Sequence, residues 1–70
     1  MQIICDSYDN SKIGAYDGNN DSGKFYDQNG NYFGEYWEHE IFDKNGMSHG
    51  YHNGDPVESF KKLLLDSMLH

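Results

Sequence analysis

Two Asp-x-Asn-Gly segments, Asp27–Gly30 and Asp43–Gly46, constrain the fold of this chain more than any other feature of its sequence. Asn-Gly is the pair that most readily adopts the positive φ angles of a tight β-hairpin turn. The preceding Asp ends a strand and can hydrogen-bond the backbone of the turn that follows it. Each segment therefore predicts two antiparallel strands joined by a short turn.

A related pattern of an aromatic residue, Asp, a polar turn, Gly and a second aromatic residue recurs along the chain, as in Tyr8–Tyr16 and Tyr16–Phe25. The segment Asp17–Ser22 is predicted to be an exposed loop. The unequal spacing of the copies indicates a meander and not a regular solenoid. The predicted strands are Gln2–Tyr8, Lys12–Tyr16, Gly23–Tyr26, Tyr32–Phe42 and Met47–His52.

The C-terminal segment changes to a helical period. Asp55 is the expected N-cap, with Pro56 as the first helical residue and Glu58 completing a capping box. A helix is predicted over Pro56–Met68, with an apolar stripe that covers one face of the sheet. That stripe consists of Val57, Phe60, Leu63, Leu64 and Met68. Two further residues, Leu65 and Leu69, widen it and suggest a second contact, such as another copy of the chain.

These signals predict one α+β domain over residues 1–70. Its small antiparallel β-meander, of four to five strands, spans residues 2–52, and one C-terminal α-helix, residues 56–68, packs on one face. A chain of 70 residues supports a single small core. Aromatic residues make up 16% of it, and their large rings allow a thin sheet to bury that core.

Charge narrows the classes of partner. Twelve Asp and Glu against five Lys give a net charge of −7, and the chain has no Arg. Nucleic-acid binding needs a basic surface that neutralises phosphates, so direct binding to nucleic acid is not expected. The same charge argues against an anionic membrane surface. It suits a protein partner with a basic surface, although solubility alone would favour the same composition.

Cys5 is the single cysteine, so an intrachain disulfide is excluded and a reducing compartment is expected. Residues 1–5 do not resemble a signal peptide, and no run of residues reaches transmembrane length. We therefore expect a cytoplasmic protein that does not associate with a membrane.

The longest predicted strand, Tyr32–Phe42, would carry alternate side chains on opposite faces. Regular alternation leaves Tyr36 between carboxylates on the exposed face. A β-bulge at Gly34 would exchange the two faces downstream of it. The expected core row beneath the helix is Phe33, Trp37 and Ile41. The candidate partner-binding residues are Glu35, Tyr36, Glu38 and Glu40.

Metal and catalytic sites are weakly supported. His49 and His52 would point to opposite faces of a strand, which favours scattered surface histidines over a metal site. The loop Asp17–Gly23 begins like a calcium loop, but it lacks the required Gly and the bidentate Glu, so a polar turn is favoured. No nucleophile, base and orienting residue share a suggestive spacing, and we expect no cofactor, metal or catalysis. The candidate metal ligands are Cys5, His39, His49, His52 and His70.

The function expected from the sequence is that of a small, acidic, non-catalytic protein-binding module. It would occupy the basic, nucleic-acid-binding surface of a partner protein as an inhibitor, in the manner of accessory proteins of phages and mobile elements. The comparison with such accessory proteins is an analogy and does not depend on a sequence motif. The alternative is a structural or assembly protein that homo-oligomerises through its aromatic sheet or its C-terminal helix.

Overall fold

Six strands and one helix make up the part of the chain that the computed structural model describes, residues 1–53 and 55–69. The strands form one antiparallel sheet in chain order. The α+β meander with a C-terminal helix is therefore confirmed, with six strands in place of four to five. No helix in the described ranges has the length and hydrophobicity needed to cross a membrane. The elements are β1 (Gln2–Cys5), β2 (Lys12–Gly18), β3 (Ser22–Asp27), β4 (Tyr32–Trp37), β5 (Glu40–Asp43), β6 (Ser48–Tyr51) and α1 (Pro56–Met68).

The additional strand arises because the predicted strand over residues 32–42 is a hairpin, β4 and β5, with a turn at Glu38 and His39. Both turn residues have positive φ, 48° and 69°. Asn and Gly normally occupy such positions, and a residue with a larger side chain there costs about 1–3 kcal/mol. Neighbouring groups hold the turn: the backbone N–H of Glu38 donates to Ser22 Oγ (3.2 Å), and that of His39 donates to the carbonyl of Asp21 (3.4 Å).

The two Asp-x-Asn-Gly segments form the β3–β4 and β5–β6 turns, as predicted. Asp27 Oδ1 accepts from the backbone N–H groups of residues 29 and 31, both at 2.9 Å, and Asp43 Oδ1 accepts from those of residues 45 and 47. These backbone donors lower the pKa of the Asp27 carboxyl. The positive φ angles fall on Gly30 (87°) and Gly46 (83°) and not on the preceding Asn residues.

A β-bulge in β4 decides which side chains are buried. Phe25 pairs with Gly34 and Tyr26 pairs with Tyr32, so Phe33 is an extra residue between the two pairs. One extra residue exchanges the faces of the strand downstream of it.

The core row expected from regular alternation is therefore wrong at Trp37, which is 56% exposed. Tyr36 is fully buried (0% exposed), although regular alternation placed it on the surface. Ile41 is buried and Phe33 packs against the core, as predicted.

The core lies between the sheet and α1. The Phe60 ring of α1 packs against Phe25 and Phe33, each with a centroid separation of 5.6 Å. Two glycines make room for the helix: a Cβ on Gly14 would overlap the Phe60 ring, and one on Gly34 would lie 2.7 Å from Leu63 Cδ2. The buried hydrophobic residues are Ile4, Ala15, Tyr16, Phe25, Tyr36, Ile41, Phe60 and Leu63.

The helix has the predicted bounds, and the Asp55 carboxylate accepts from the backbone N–H of Glu58 (2.9 Å) as its N-cap. Its buried stripe differs in part from the predicted one. Met68, which was assigned to that stripe, is exposed. Leu65 and Leu69 are exposed as well, so the end of the helix carries apolar residues that the sheet does not cover. The residues that it buries are Pro56, Ser59, Phe60 and Leu63.

Candidate functional site

The face of the sheet opposite α1, called the open face below, carries most of the exposed aromatic rings. Directly paired residues of neighbouring strands share a face, so the strand register defines its rows. One row runs from Lys24 through Glu35 to Phe42, and a second runs from Ser22 through Trp37 and Glu40 to Tyr51. The open face of strands β3–β6 thus comprises Ser22, Lys24, Tyr26, Tyr32, Glu35, Trp37, Glu40, Phe42, Ser48 and Tyr51.

Trp37 and Tyr51 are the prominent apolar groups of the open face. Trp37 is the single tryptophan of the chain, and Tyr51 is 69% exposed. Further along the same face, beyond the row of Lys24 and Glu35, Tyr26 and Tyr32 pack edge to face with a centroid separation of 6.5 Å. A shallow cleft of about 240 Å³ opens next to Trp37 and is lined in part by Lys24 and Glu35. Exposed aromatic rings grouped in this way are typical of protein-binding surfaces.

Carboxylates surround Trp37. Glu40 pairs directly with it across the sheet, Glu35 precedes it on the same face, and Glu38 follows it in the turn. None of the three lies within 4.0 Å of a cationic nitrogen in the described residues. Their negative charge is therefore not neutralised by an ion pair in the part of the chain described.

Neutral hydroxyl groups hold two of these carboxylates in position. Tyr32 donates to Glu35 Oε1 (3.3 Å), and Ser48 Oγ donates to Glu40 Oε2 (2.7 Å). Glu40 also accepts a hydrogen bond from Tyr51, which raises the pKa of that phenol. The Glu40 carboxylate is consequently oriented before any partner binds.

Of the four candidate partner-binding residues, the structure brings Glu35, Glu38 and Glu40 together around Trp37. Tyr36 is not with them, because the bulge at Phe33 turns it into the core. There its hydroxyl donates a hydrogen bond to the carbonyl of His52 (2.8 Å) and shares a second hydrogen bond with His39 Nδ1 (2.9 Å). Regular alternation placed Trp37 in the core, whereas the structure places it on the surface. The possible bulge at Gly34 was the sequence signal that would have predicted its exposure.

The candidate metal ligands are dispersed. Among residues 1–53 and 55–69, no group of three or more His, Cys, Asp or Glu side chains could hold a metal ion. His70 lies outside the described residues. His39 pairs with Asp21 (3.2 Å). The calcium-like segment is shorter as a loop than predicted, because β2 extends to Gly18 and β3 begins at Ser22. In the turn between them, the side chain of Asn19 accepts the backbone N–H groups of residues 21 and 22.

His49 joins β6 to β5 and to α1. Its Nε2 lies 3.0 Å from Asp43 Oδ2, and its Nδ1 lies 3.2 Å from Asp66 Oδ2. Both partners are acceptors when ionised, so this geometry favours the doubly protonated imidazolium. The hydrogen bond to Asp43 is the main cause that raises the pKa of His49. Lys62 donates to Asp66 (3.3 Å) and to the carbonyl of His49 (3.0 Å).

We expect this network to make the free energy of unfolding decrease both as the pH rises and in strong acid. The pKa of His49 is raised above 6.5, so its contribution is complete below pH 6.5 and is lost as the pH rises through the folded-state pKa. The pKa values of Asp43 and Asp66 are lowered below 3.8, by His49 and Lys62 respectively. Their contributions are complete above pH 3.8 and are lost in stronger acid.

The melting temperature measured by circular dichroism should therefore be highest between about pH 4 and pH 6.5 and should fall on either side. His49→Gln should remove the decrease at high pH, while Lys44→Gln, a change of an exposed residue outside the network, should retain it. An unchanged decrease in the His49→Gln variant would exclude His49 as its source.

Comparison of the chain with protein-family models, with curated proteins and with solved structures gives no match.

Proposed function

We propose that the chain is a non-catalytic protein-binding module whose open face binds a basic surface of a partner protein. The observation that carries the proposal is the exposed Trp37 with Glu35, Glu38 and Glu40 around it, none of which forms an ion pair in the described residues. Tryptophan is enriched among the residues that dominate binding energy at interfaces. Carboxylates around such an anchor favour basic partners and accelerate their encounter.

The class of partner that this chemistry suits is a protein with a nucleic-acid-binding surface. Such surfaces are basic because they neutralise phosphates, and the chain would cover them with carboxylates. Nucleic acid itself would meet the same carboxylates and be repelled. Occupying that surface would make the chain an inhibitor of nucleic-acid binding.

Affinity capture from a cell lysate tests the proposal, with wild-type protein compared with Trp37→Ala. We expect the wild type to retain basic proteins that are released by high salt and by added double-stranded DNA, and we expect Trp37→Ala to lose them. Leu65→Ala, which changes an exposed apolar residue of α1, is the matched control and should capture the same proteins as the wild type. Capture that survives Trp37→Ala, or that DNA does not compete with, would contradict the proposal.

The alternative proposal is a homo-oligomer, and the end of α1 is the feature that favours it. Leu65, Met68 and Leu69 are 59%, 73% and 74% exposed and follow one another at helical spacing. Apolar contacts between copies would persist at high salt, unlike contacts with a basic partner. Light scattering at low and high salt separates the two cases: a defined oligomer that resists salt and is lost in Leu65→Lys would favour assembly.

A further inference from the structure

We infer that the row Trp37–Glu40–Tyr51 on the open face is a binding site for an arginine side chain of the partner. The inference rests on the proposed function and specifies which group of a basic partner the open face recognises. The row places a carboxylate between two exposed aromatic residues, on three adjacent strands.

The strand register sets the dimensions of this row. Glu40 of β5 pairs with Trp37 of β4 on one side and with Tyr51 of β6 on the other. Neighbouring strands are about 4.8 Å apart, so the backbone positions of the two aromatic residues are separated by about 10 Å. A guanidinium that approaches this row would meet the Glu40 carboxylate with an aromatic residue on either side of it.

The chemistry of the row favours a cation. Glu40 is partly buried, and its hydrogen bonds come from the neutral hydroxyls of Ser48 and Tyr51. No Lys or His nitrogen of the described residues forms an ion pair with it. A partly desolvated carboxylate without a counter-ion gains free energy from an incoming cation, and aromatic faces attract the same cation through their quadrupole.

Arginine suits this arrangement better than lysine. The guanidinium is planar, stacks on aromatic rings and is more weakly hydrated than an ammonium, so it loses less on leaving water. It also presents several N–H donors to a carboxylate that is already held in place by Ser48 and Tyr51. A lysine ammonium would form the ion pair but would lose the stacking.

The fluorescence of Trp37 provides a direct measurement, because Trp37 is the single tryptophan and lies in the proposed site. The probes are blocked pentapeptides, acetyl-Gly-Arg-Gly-Arg-Gly-amide and its Lys and Glu counterparts, titrated at low salt. We expect the Arg peptide to bind about tenfold more tightly than the Lys peptide, and the Glu peptide not to bind. Glu40→Gln should weaken binding of the Arg peptide by about tenfold, the effect of losing one charge-assisted hydrogen bond.

Two further variants complete the test. Tyr51→Leu should also weaken binding of the Arg peptide, and because Tyr51 is exposed this change leaves the core intact. Glu58→Gln removes an exposed carboxylate on α1, away from the open face, and should leave the affinity unchanged.

Equal affinities for the Arg and Lys peptides, with Glu40→Gln no weaker than Glu58→Gln, would overturn the arginine site and leave the proposed basic partner standing. Binding of neither cationic peptide would overturn both.

Discussion

Replacing Tyr36 with Ala should destabilise the domain by about 3–5 kcal/mol, the usual cost of truncating a buried aromatic side chain. The Tyr36 ring lies between Tyr16 and Phe25, at centroid separations of 6.4 and 6.0 Å, and is fully buried. Its loss also leaves the carbonyl of His52 without the hydroxyl that donates to it. A domain of this size has a total stability of only about 4–10 kcal/mol, so much of the population should unfold. Urea denaturation followed by circular dichroism measures the change.

The neighbouring substitution Trp37→Ala should behave in the opposite way. Trp37 is 56% exposed on the open face, so its removal should cost about 1 kcal/mol, well below the cost of Tyr36→Ala. Tyr36→Phe provides an intermediate case, in which the ring stays and the lost hydroxyl costs about 1–2 kcal/mol. If Trp37→Ala unfolded the domain while Tyr36→Ala did not, the assignment of the two faces of β4 would be reversed.

The contrast between these two residues shows what could be predicted from the sequence. The turns at Asp27–Gly30 and Asp43–Gly46 and the helix Pro56–Met68 were predictable, because each depends on local backbone chemistry that the residue types specify. The faces of β4 were not, because they depend on one extra residue, Phe33, whose position is set by pairing with β3. A bulge at the adjacent Gly34 is compatible with the sequence, but nothing in the sequence favours it over regular alternation.

The turn at Glu38 and His39 was unpredictable for a different reason. Neither residue prefers positive φ, so the segment carries no local turn signal. The conformation is imposed by contacts with Asp21 and Ser22, which are distant in sequence and are adjacent only once the sheet has formed. The same turn ends β4 directly after Trp37 and begins β5 at Glu40, so it also positions the two residues on which the proposed site depends.

In the structure, the acidic residues divide into those that hold turns, caps or ion pairs and those that do not. Several carboxylates have structural roles: Asp27 and Asp43 hold turns, Asp55 caps the helix and Asp66 binds His49. The carboxylates around Trp37 have no such role in a turn or cap, and none of them forms an ion pair in the described residues. Net charge alone favours a basic partner, and in the proposed function these carboxylates are the ones that would contact it.

Truncating Phe60 to Ala should destabilise the domain by about 3–5 kcal/mol, because this large side chain of α1 is buried against the sheet. Phe60 is fully buried and packs against Phe25 and Phe33. Opposite it the sheet presents Gly14, which has no side chain that could rotate into the space left by the ring. The cavity should therefore remain largely open, and the cost should lie near the upper end of that range.

Leu65→Ala on the same helix is the matched control for Phe60→Ala. Its side chain is 59% exposed, so the change should cost less than about 1 kcal/mol if the chain is a monomer. Phe60→Leu should fall between the two, since most of the apolar volume is retained. Chemical denaturation of the three variants gives the ranking. Because α1 leaves the open face uncovered, the folded fraction of each variant should bind a basic partner with the affinity of the wild type. A loss of binding in Phe60→Leu alone would place the partner on the helix side of the sheet.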